Sequence, residues 1–360
     1  MGETEKSTRL YVDIVKHLPN FKLNVQLEVG TEKLGLLGSS GSGKSMTLKC
    51  IAGIECPDEG SIILGDEVLF DAKKKINKPS RERKMGYLFQ NYALFPHMTV
   101  IQNIMTGMLG LSKKDKEIKT QKLMEELHLL DCKKSYPREL SGGQQQRVAL
   151  GRMLGSDPNV LMFDEPFSAL DYHLKERLQQ QFLDLLEERK VPAVVVSHDI
   201  DEVYRLCDKI AIIQDGKIDS LGTKKEIFEK PTQLSAARLT GCKNISRIKW
   251  LKDNEVLAID WDIVLKVPDV PKSYQGYAGI RAHHLVLTGS KEENAFCYKI
   301  IKTSETRFGC TTVFGLKETS SIYEGAITLE SDKTIWEAMK DNGMPKYIKL
   351  PKDKIMLLRD

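Results

Sequence analysis

The octapeptide Gly38-Ser39-Ser40-Gly41-Ser42-Gly43-Lys44-Ser45 has the spacing G-x-x-x-x-G-K-S. Its glycines let consecutive backbone N–H groups turn inward around phosphate oxygens. Lys44 is long enough to reach terminal phosphates, and the Ser45 hydroxyl is a ligand for Mg²⁺. Farther along, Val160-Leu161-Met162-Phe163 precedes Asp164-Glu165. Four apolar residues followed by two acids read as a buried strand that delivers carboxylates to its C-terminal edge. Between these motifs lies Leu140-Ser141-Gly142-Gly143-Gln144, two small residues without side-chain bulk behind a serine.

These groups need rigid elements to hold them. Leu34-Gly35-Leu36-Leu37 reads as a short buried strand ending at Gly38, and Lys44 opens a helix. Strand, glycine-rich loop and helix in that order are the context a phosphate loop requires. Phe21, Leu23, Val25, Leu27 and Val29 alternate with polar residues, as in a half-buried strand. Ile62-Ile63-Leu64 and Val68-Leu69-Phe70 flank Gly65-Asp66 as a hairpin. Ile210 to Ile213, Asp215-Gly216 and Lys217-Ile218 form a second hairpin signal. Leu174, Leu178, Phe182, Leu185 and Leu186 fall on one helical face.

Taken in order, the three motifs resemble the ATP-binding subunit of ABC transporters. Leu88-Phe89-Gln90 resembles the family's Gln loop, Ser168-Ala169-Leu170-Asp171 its D-loop, and Ser197-His198-Asp199 its switch histidine. The resemblance covers about residues 8 to 240, with every motif in sequence order. It implies an α/β P-loop NTPase fold, an ABC cassette with a helical subdomain, that binds ATP and Mg²⁺. The loop Gly38 to Ser45, with Met46, would hold the phosphates. Ser45, Gln90 and Asp164 would serve the metal. Glu165 would polarise the attacking water, and His198 would contact the γ-phosphate beside Lys44. Ser141, Gly142, Gly143 and Gln144 would cap the γ-phosphate held by a second copy, giving a head-to-tail dimer with two composite sites.

The chain departs from the family pattern in places. Met46 stands where a Thr or Ser hydroxyl is usual after G-K-S, leaving backbone N–H contacts to the phosphate. Gly151 replaces the usual Ala in the helix after Ser141-Gly142-Gly143, at a cost of roughly 1 kcal/mol of helix propensity. Phe21 is a candidate to stack on adenine, although its alternation reads as strand core. The basic stretch Lys73 to Lys84, with Lys78, Arg81 and Arg83, reads as a solvated hairpin tip. His283-His284 suggests a metal pair, but adjacent residues on a strand face opposite sides.

At 360 residues the chain accommodates two domains, and its 41% hydrophobic and 29% charged composition is that of ordinary globular proteins. A net charge of +4 gives no argument for nucleic acid. Seven scattered cysteines without C-x-x-C spacing read as reduced thiols of a cytoplasmic chain. No run approaches the ~20 apolar residues that span a bilayer. A transport role would therefore place the chain at the cytoplasmic face of the membrane through permease subunits, with an extracytoplasmic solute-binding protein as indirect partner.

The expected domains are a cassette over 1–235 with its helical subdomain at about 92–145, a linker at 236–243, and a smaller β-rich, barrel-like domain over 244–360. A connecting helix runs through Leu234 to Leu239 and stops at Gly241. Leu257, Ile259, Trp261, Ile263, Leu265 and Val267 occupy every second position, as in a strand that is bent or split midway. Thr334 to Asp341 reads as a helical insert. Gly279-Ile280-Arg281-Ala282-His283-His284 resembles the strand repeat of TOBE or Mop-like domains. Pro79 to Gln90 and Leu94-Phe95-Pro96-His97 look most like molybdate and sulfate transporter ATPases. That resemblance points to molybdate, with sulfate, sugar, iron or polyamine as other solutes and a non-hydrolysing regulatory cassette as the reading from another class.

Overall fold

The computed structural model describes residues 9–168, 172–307, 309–316 and 325–360. The chain divides into two compact units, Met1–Lys224 and Lys225–Asp360. The first mixes helices with one large sheet, and the second is β-rich.

The strands of the first unit are β1 (Leu10–His17), β2 (Lys22–Val29), β3 (Lys33–Leu37), β4 (Glu59–Leu64), β5 (Glu67–Asp71), β6 (Ile76–Asn77), β7 (Met85–Leu88), β8 (Val160–Asp164), β9 (Ala193–Val196), β10 (Lys209–Gln214) and β11 (Lys217–Thr223). They form one sheet in the order β6-β5-β4-β1-β2-β11-β10-β3-β9-β8-β7. The run β10-β3-β9-β8-β7 is parallel. Its middle strands β8 and β9 are buried throughout, which is why they read as continuous apolar runs. The arm β6-β5-β4-β1-β2 is antiparallel, and β2 buries every second residue from Leu23 to Val29. Asp215 and Gly216, both at positive φ, close the β10–β11 hairpin, as a two-residue primed turn requires.

Helices α1 (Lys44–Ala52), α2 (Val100–Met105), α3 (Lys113–Glu126), α4 (Gly142–Gly155), α5 (Tyr172–Arg189) and α6 (Ile200–Leu206) complete this unit. Leu178, Phe182 and Leu186 form the buried face of α5; the side chain of Leu174 lies outside the described residues. At Gly151 a Cβ would stand 3.1 Å from Leu127 Cδ1 and 3.2 Å from Ile104 Cδ1. The glycine therefore lets α4 approach α2 and the end of α3 closely.

Arg83 corrects the reading of the basic stretch as solvated. It is 1% exposed. Its guanidinium donates to the carbonyls of Cys50 and Ile51 at 2.9 Å, to Lys78 O at 2.8 Å and to Asn77 Oδ1 at 2.8 Å. It thus satisfies carbonyls at the C-terminus of α1, adding to the Gly53 N–H that Cys50 O accepts at 3.2 Å. Composition alone does not single out one cation among many.

The second unit holds β12 (Asn244–Lys252), β13 (Glu255–Ala258), β14 (Ile263–Lys266), β15 (Gln275–Ile280), β16 (Val286–Thr288), β17 (Ala295–Cys297), β18 (Lys299–Glu305), β19 (Gly309–Gly315), β20 (Ala326–Asp332), β21 (Tyr347–Lys349) and β22 (Met356–Leu358), with α7 (Lys224–Glu229) at its start, α8 (Leu234–Leu239) and α9 (Lys333–Asp341). They make three sheets, β14-β13-β12-β15-β22, β16-β21-β17 and β18-β19-β20. Trp261, Phe314 and Trp336 sit in their common apolar core.

The alternation from Leu257 to Val267 belongs to the two strands of the β13–β14 hairpin. Val256 and Ala258 are the buried residues of β13, whereas Ile263, Leu265 and Val267 are buried in the second half. The turn changes the parity, so Leu257 and Ile259 face outward. His283 and His284 correct a premise as well. They lie in a 3₁₀ turn, Ala282–His284, with ring centroids 4.4 Å apart, and so are not on opposite strand faces. Among the described residues no group of three or more His, Cys, Asp or Glu could hold a metal ion there or elsewhere.

Candidate active site

A cleft of about 1000 Å³ opens over the C-terminal ends of β3, β7, β8 and β9. Parallel sheets present ligands at this edge. Lys44, Ser45, Met46, Gln90, Glu165 and His198 line it with Ser40, Gly41 and Gly43. Together these residues span more than a hundred positions of the chain. The parallel order of the strands brings them together.

The loop from Gly38 is shaped by its glycines. Gly43 caps α1 in the left-handed region at φ 108, and a Cβ there would stand 2.5 Å from Leu23 Cδ1. Ser42 is buried beneath the loop and donates its N–H to Ser39 O at 3.2 Å. Lys44 donates through Nζ to the carbonyls of Gly38 and Ser39, each at 2.9 Å. Burial holds its ammonium below the ordinary lysine value, while the carboxylates of Glu165 and Asp164 draw it back up.

The acids at the end of β8 have different partners. Ser45 Oγ donates to Asp164 Oδ1 at 2.7 Å, and the Tyr87 hydroxyl donates to Asp164 Oδ2 at 2.9 Å. Burial, and then the Asp164 charge, push the Tyr87 phenol far up, so it stays a donor. Tyr87 was not evident from the sequence. The signal was a hydroxyl three residues before Gln90, but only the β7–β8 pairing puts it beside Asp164.

Glu165 takes the left-handed conformation at φ 50, where few residues other than glycine settle. Its N–H donates to Val196 O at 2.9 Å, tying the turn to β9. Its Oε2 lies 2.8 Å from His198 Nδ1. The Ser168 hydroxyl donates to Glu165 O at 3.0 Å; Ala169, Leu170 and Asp171 lie outside the described residues.

Ser141, Gly142, Gly143 and Gln144 do not line this cleft. They form the start of α4, where Ser141 Oγ accepts from Gln144 N at 3.4 Å and Gln144 Oε1 accepts from Ser141 N at 2.9 Å. This capping box fixes the helix start. Phe21 precedes β2, packs partly against the apolar core, and also lines the cleft. The donors around Ser45 and Asp164 are oxygens. Mg²⁺ is held in this manner, by one or two carboxylates together with substrate phosphates.

Residues 21–168 match the family model described as ABC transporter. A spermidine/putrescine import ATP-binding protein of Marinobacter nauticus is 32% identical over 312 residues, 84% of this chain and 82% of that protein. An Fe(3+) ions import ATP-binding protein of Haemophilus influenzae is 42% identical, over 58% of this chain and 59% of its own length. The chain thus spans less than two thirds of that relative. A sulfate/thiosulfate import ATP-binding protein of Neisseria meningitidis is 38% identical, over 63% of this chain and 64% of that protein. Among solved structures, the dimeric structure of a bacterial ABC transporter cassette matches with a TM-score of 0.52 and 27% identity, over 60% of this chain and 98% of that one. Fold, cleft and relatives agree, and the chain belongs to the family of ABC transporter ATP-binding proteins.

Proposed function

We propose that the chain is the ATP-hydrolysing subunit of an ABC importer. The observation that carries this reading is one cleft holding Lys44, Ser45 and the Glu165–His198 pair at 2.8 Å. Hydrolysis needs held phosphates, neutralised charge and an oriented water. The backbone of Gly38 to Ser45 and the Lys44 ammonium hold the phosphates, with Met46 contributing its N–H. Ser45, Asp164 and Gln90 would hold Mg²⁺, which would supply charge neutralisation there. Glu165 accepts the proton of the attacking water, and His198 orients Glu165 and meets the γ-phosphate. Phe21 is the aromatic available to adenine.

Ser141 to Gln144 lie outside the cleft, so they act on the cleft of a second copy in a head-to-tail dimer. The start of a helix with small residues suits an anion at close approach. A related cassette has been solved as a dimer in a post-hydrolysis state bound to ADP and Pi, which supports a dimer here. The domain bounds expected from the sequence, a cassette over 1–235, a linker at 236–243 and a TOBE-like accessory domain over 244–360, set the first border about ten residues beyond the division at Lys224 and Lys225. The subunit works at the cytoplasmic face of the membrane with permease subunits. For the solute we favour molybdate, on the resemblance of Pro79 to Gln90 and Leu94 to His97 alone. The relatives' names carry Fe(3+), spermidine/putrescine and sulfate/thiosulfate.

Glu165→Gln tests the chemistry. It retains the shape of the side chain and removes its basicity, so steady-state turnover falls by about a hundredfold or more, with ATP binding kept. Turnover near the wild-type rate would remove Glu165 from the role. Transport assays with molybdate, sulfate, ferric ion and spermidine decide the solute.

A further inference from the structure

The imidazole of His198 is largely open to solvent, with 67% of its side chain exposed. What fixes it is the backbone on either side. Ser197 Oγ donates to Glu202 Oε2 at 2.5 Å and accepts the Asp199 N–H at 3.0 Å. Asp199 Oδ1 accepts the N–H groups of Asp201 and Glu202 at 2.9 and 3.2 Å, starting α6. Both acids then converge on one cation from another helix. Lys175 Nζ lies 2.6 Å from Asp199 Oδ2 and 2.6 Å from Glu202 Oε1. Glu202 is 3% exposed. Its charge is kept in the interior by Lys175 and Ser197.

We propose that Lys175 is a positioning residue for His198: the α5 ammonium bridges Asp199 and Glu202 and so sets the segment 197–199 that carries the imidazole to Glu165. This rests on the ATPase reading for its catalytic consequence. The ammonium's ion pairs are with Asp199 and Glu202; it acts through Asp199 itself and through Ser197, which Glu202 holds, on either side of His198. The directions of titration agree with a tight bridge. The Lys175 ammonium is held above its ordinary value by Asp199 and Glu202 against the pull of burial. Against its own burial, the Asp199 carboxyl is held below its ordinary value by Lys175 and by the N–H groups of Glu202 and Asp201.

The test is a cycle of variants in the full chain. K175M keeps the length of the stem and removes the charge. It should lower kcat for ATP about tenfold with KM unchanged, the signature of a displaced catalytic group. K175R, whose guanidinium spans two carboxylates, should restore most of the rate. K175M/H198A should be no slower than H198A, because Lys175 acts through the imidazole. Since Met leaves the Glu202 carboxylate unpaired inside the fold, K175M/E202Q supplies a folded control and should show the same loss.

A readout independent of turnover is the ¹⁵N shift of the His198 ring, assigned by its disappearance in H198A. It should move in K175M and return in K175R. Equal kcat in K175M and wild type, penalties that multiply in K175M/H198A, failure of K175R to restore, or an unmoved imidazole signal would each overturn the proposal. A wild-type chain that bound ATP without hydrolysing it would instead overturn the ATPase reading, with the imidazole shift still deciding the role of Lys175.

Discussion

Arg83 and Lys175 are both cations turned toward the interior, yet the sequence treats them as two among 54 lysines and arginines. Arg83 spends its donors on the carbonyls of Cys50, Ile51 and Lys78 and on Asn77. Replacing it with Met keeps the stem packed and removes four hydrogen bonds, including the guanidinium's bond to the Ile51 carbonyl, while Cys50 O keeps the Gly53 N–H at 3.2 Å. Arg83→Met should therefore destabilise the chain by about 2–4 kcal/mol. Urea unfolding followed by circular dichroism checks this, and a loss within experimental error would mean that water replaces the guanidinium. Residues chosen for chemistry were easier to find. Lys44, Ser45, Met46, Gln90, Glu165 and His198 stand out by type and spacing, and all of them line one cleft. Tyr87 did not stand out, because its partner Asp164 lies 77 positions away and on a neighbouring strand.

Helix contacts separate two glycines that look alike in the sequence. At Gly151 the atoms nearest to a Cβ would be side-chain atoms, Leu127 Cδ1 at 3.1 Å and Ile104 Cδ1 and Cγ1 at 3.2 Å. A Cβ at Gly107 would stand 1.9 Å from the carbonyl oxygen of Arg152. Side-chain ends can yield and a helix carbonyl does not. Gly151→Ala should gain part of the roughly 1 kcal/mol of helix propensity, whereas Gly107→Ala should lose about 1–3 kcal/mol by overpacking. Paired denaturation curves check both signs. Elements were most legible in the sequence where one period ran unbroken. β2 buries the alternate residues Leu23, Val25, Leu27 and Val29, and the β4–β5 and β10–β11 hairpins turn at their glycines. Legibility weakened where a turn changes the buried parity without breaking the alternation, as between Ala258 and Ile263.

For the whole molecule, the order of the strands was the part not written locally. β3, β9, β8 and β7 are neighbours although long segments separate them, and only tertiary packing selects that order. The same holds for Ser141 to Gln144, which the chain places away from the cleft that its other motifs line. If these residues serve a second copy, Ser141→Arg and Lys44→Ala chains should complement each other. In a mixed dimer one site carries both lesions and the other carries neither. ATPase activity should rise in the mixture above that of either variant alone, to at most half the wild-type level per dimer. No rise, with mixed dimers demonstrated by differential tagging, would count against the head-to-tail arrangement.

Glu165 holds a left-handed backbone at φ 50 where glycine or asparagine would rest more easily. The strain is of order 1 kcal/mol or more. If Glu165 activates water, as proposed, durability and turnover pull against each other at this one position. A glycine there would then leave the chain sturdier and silent at once.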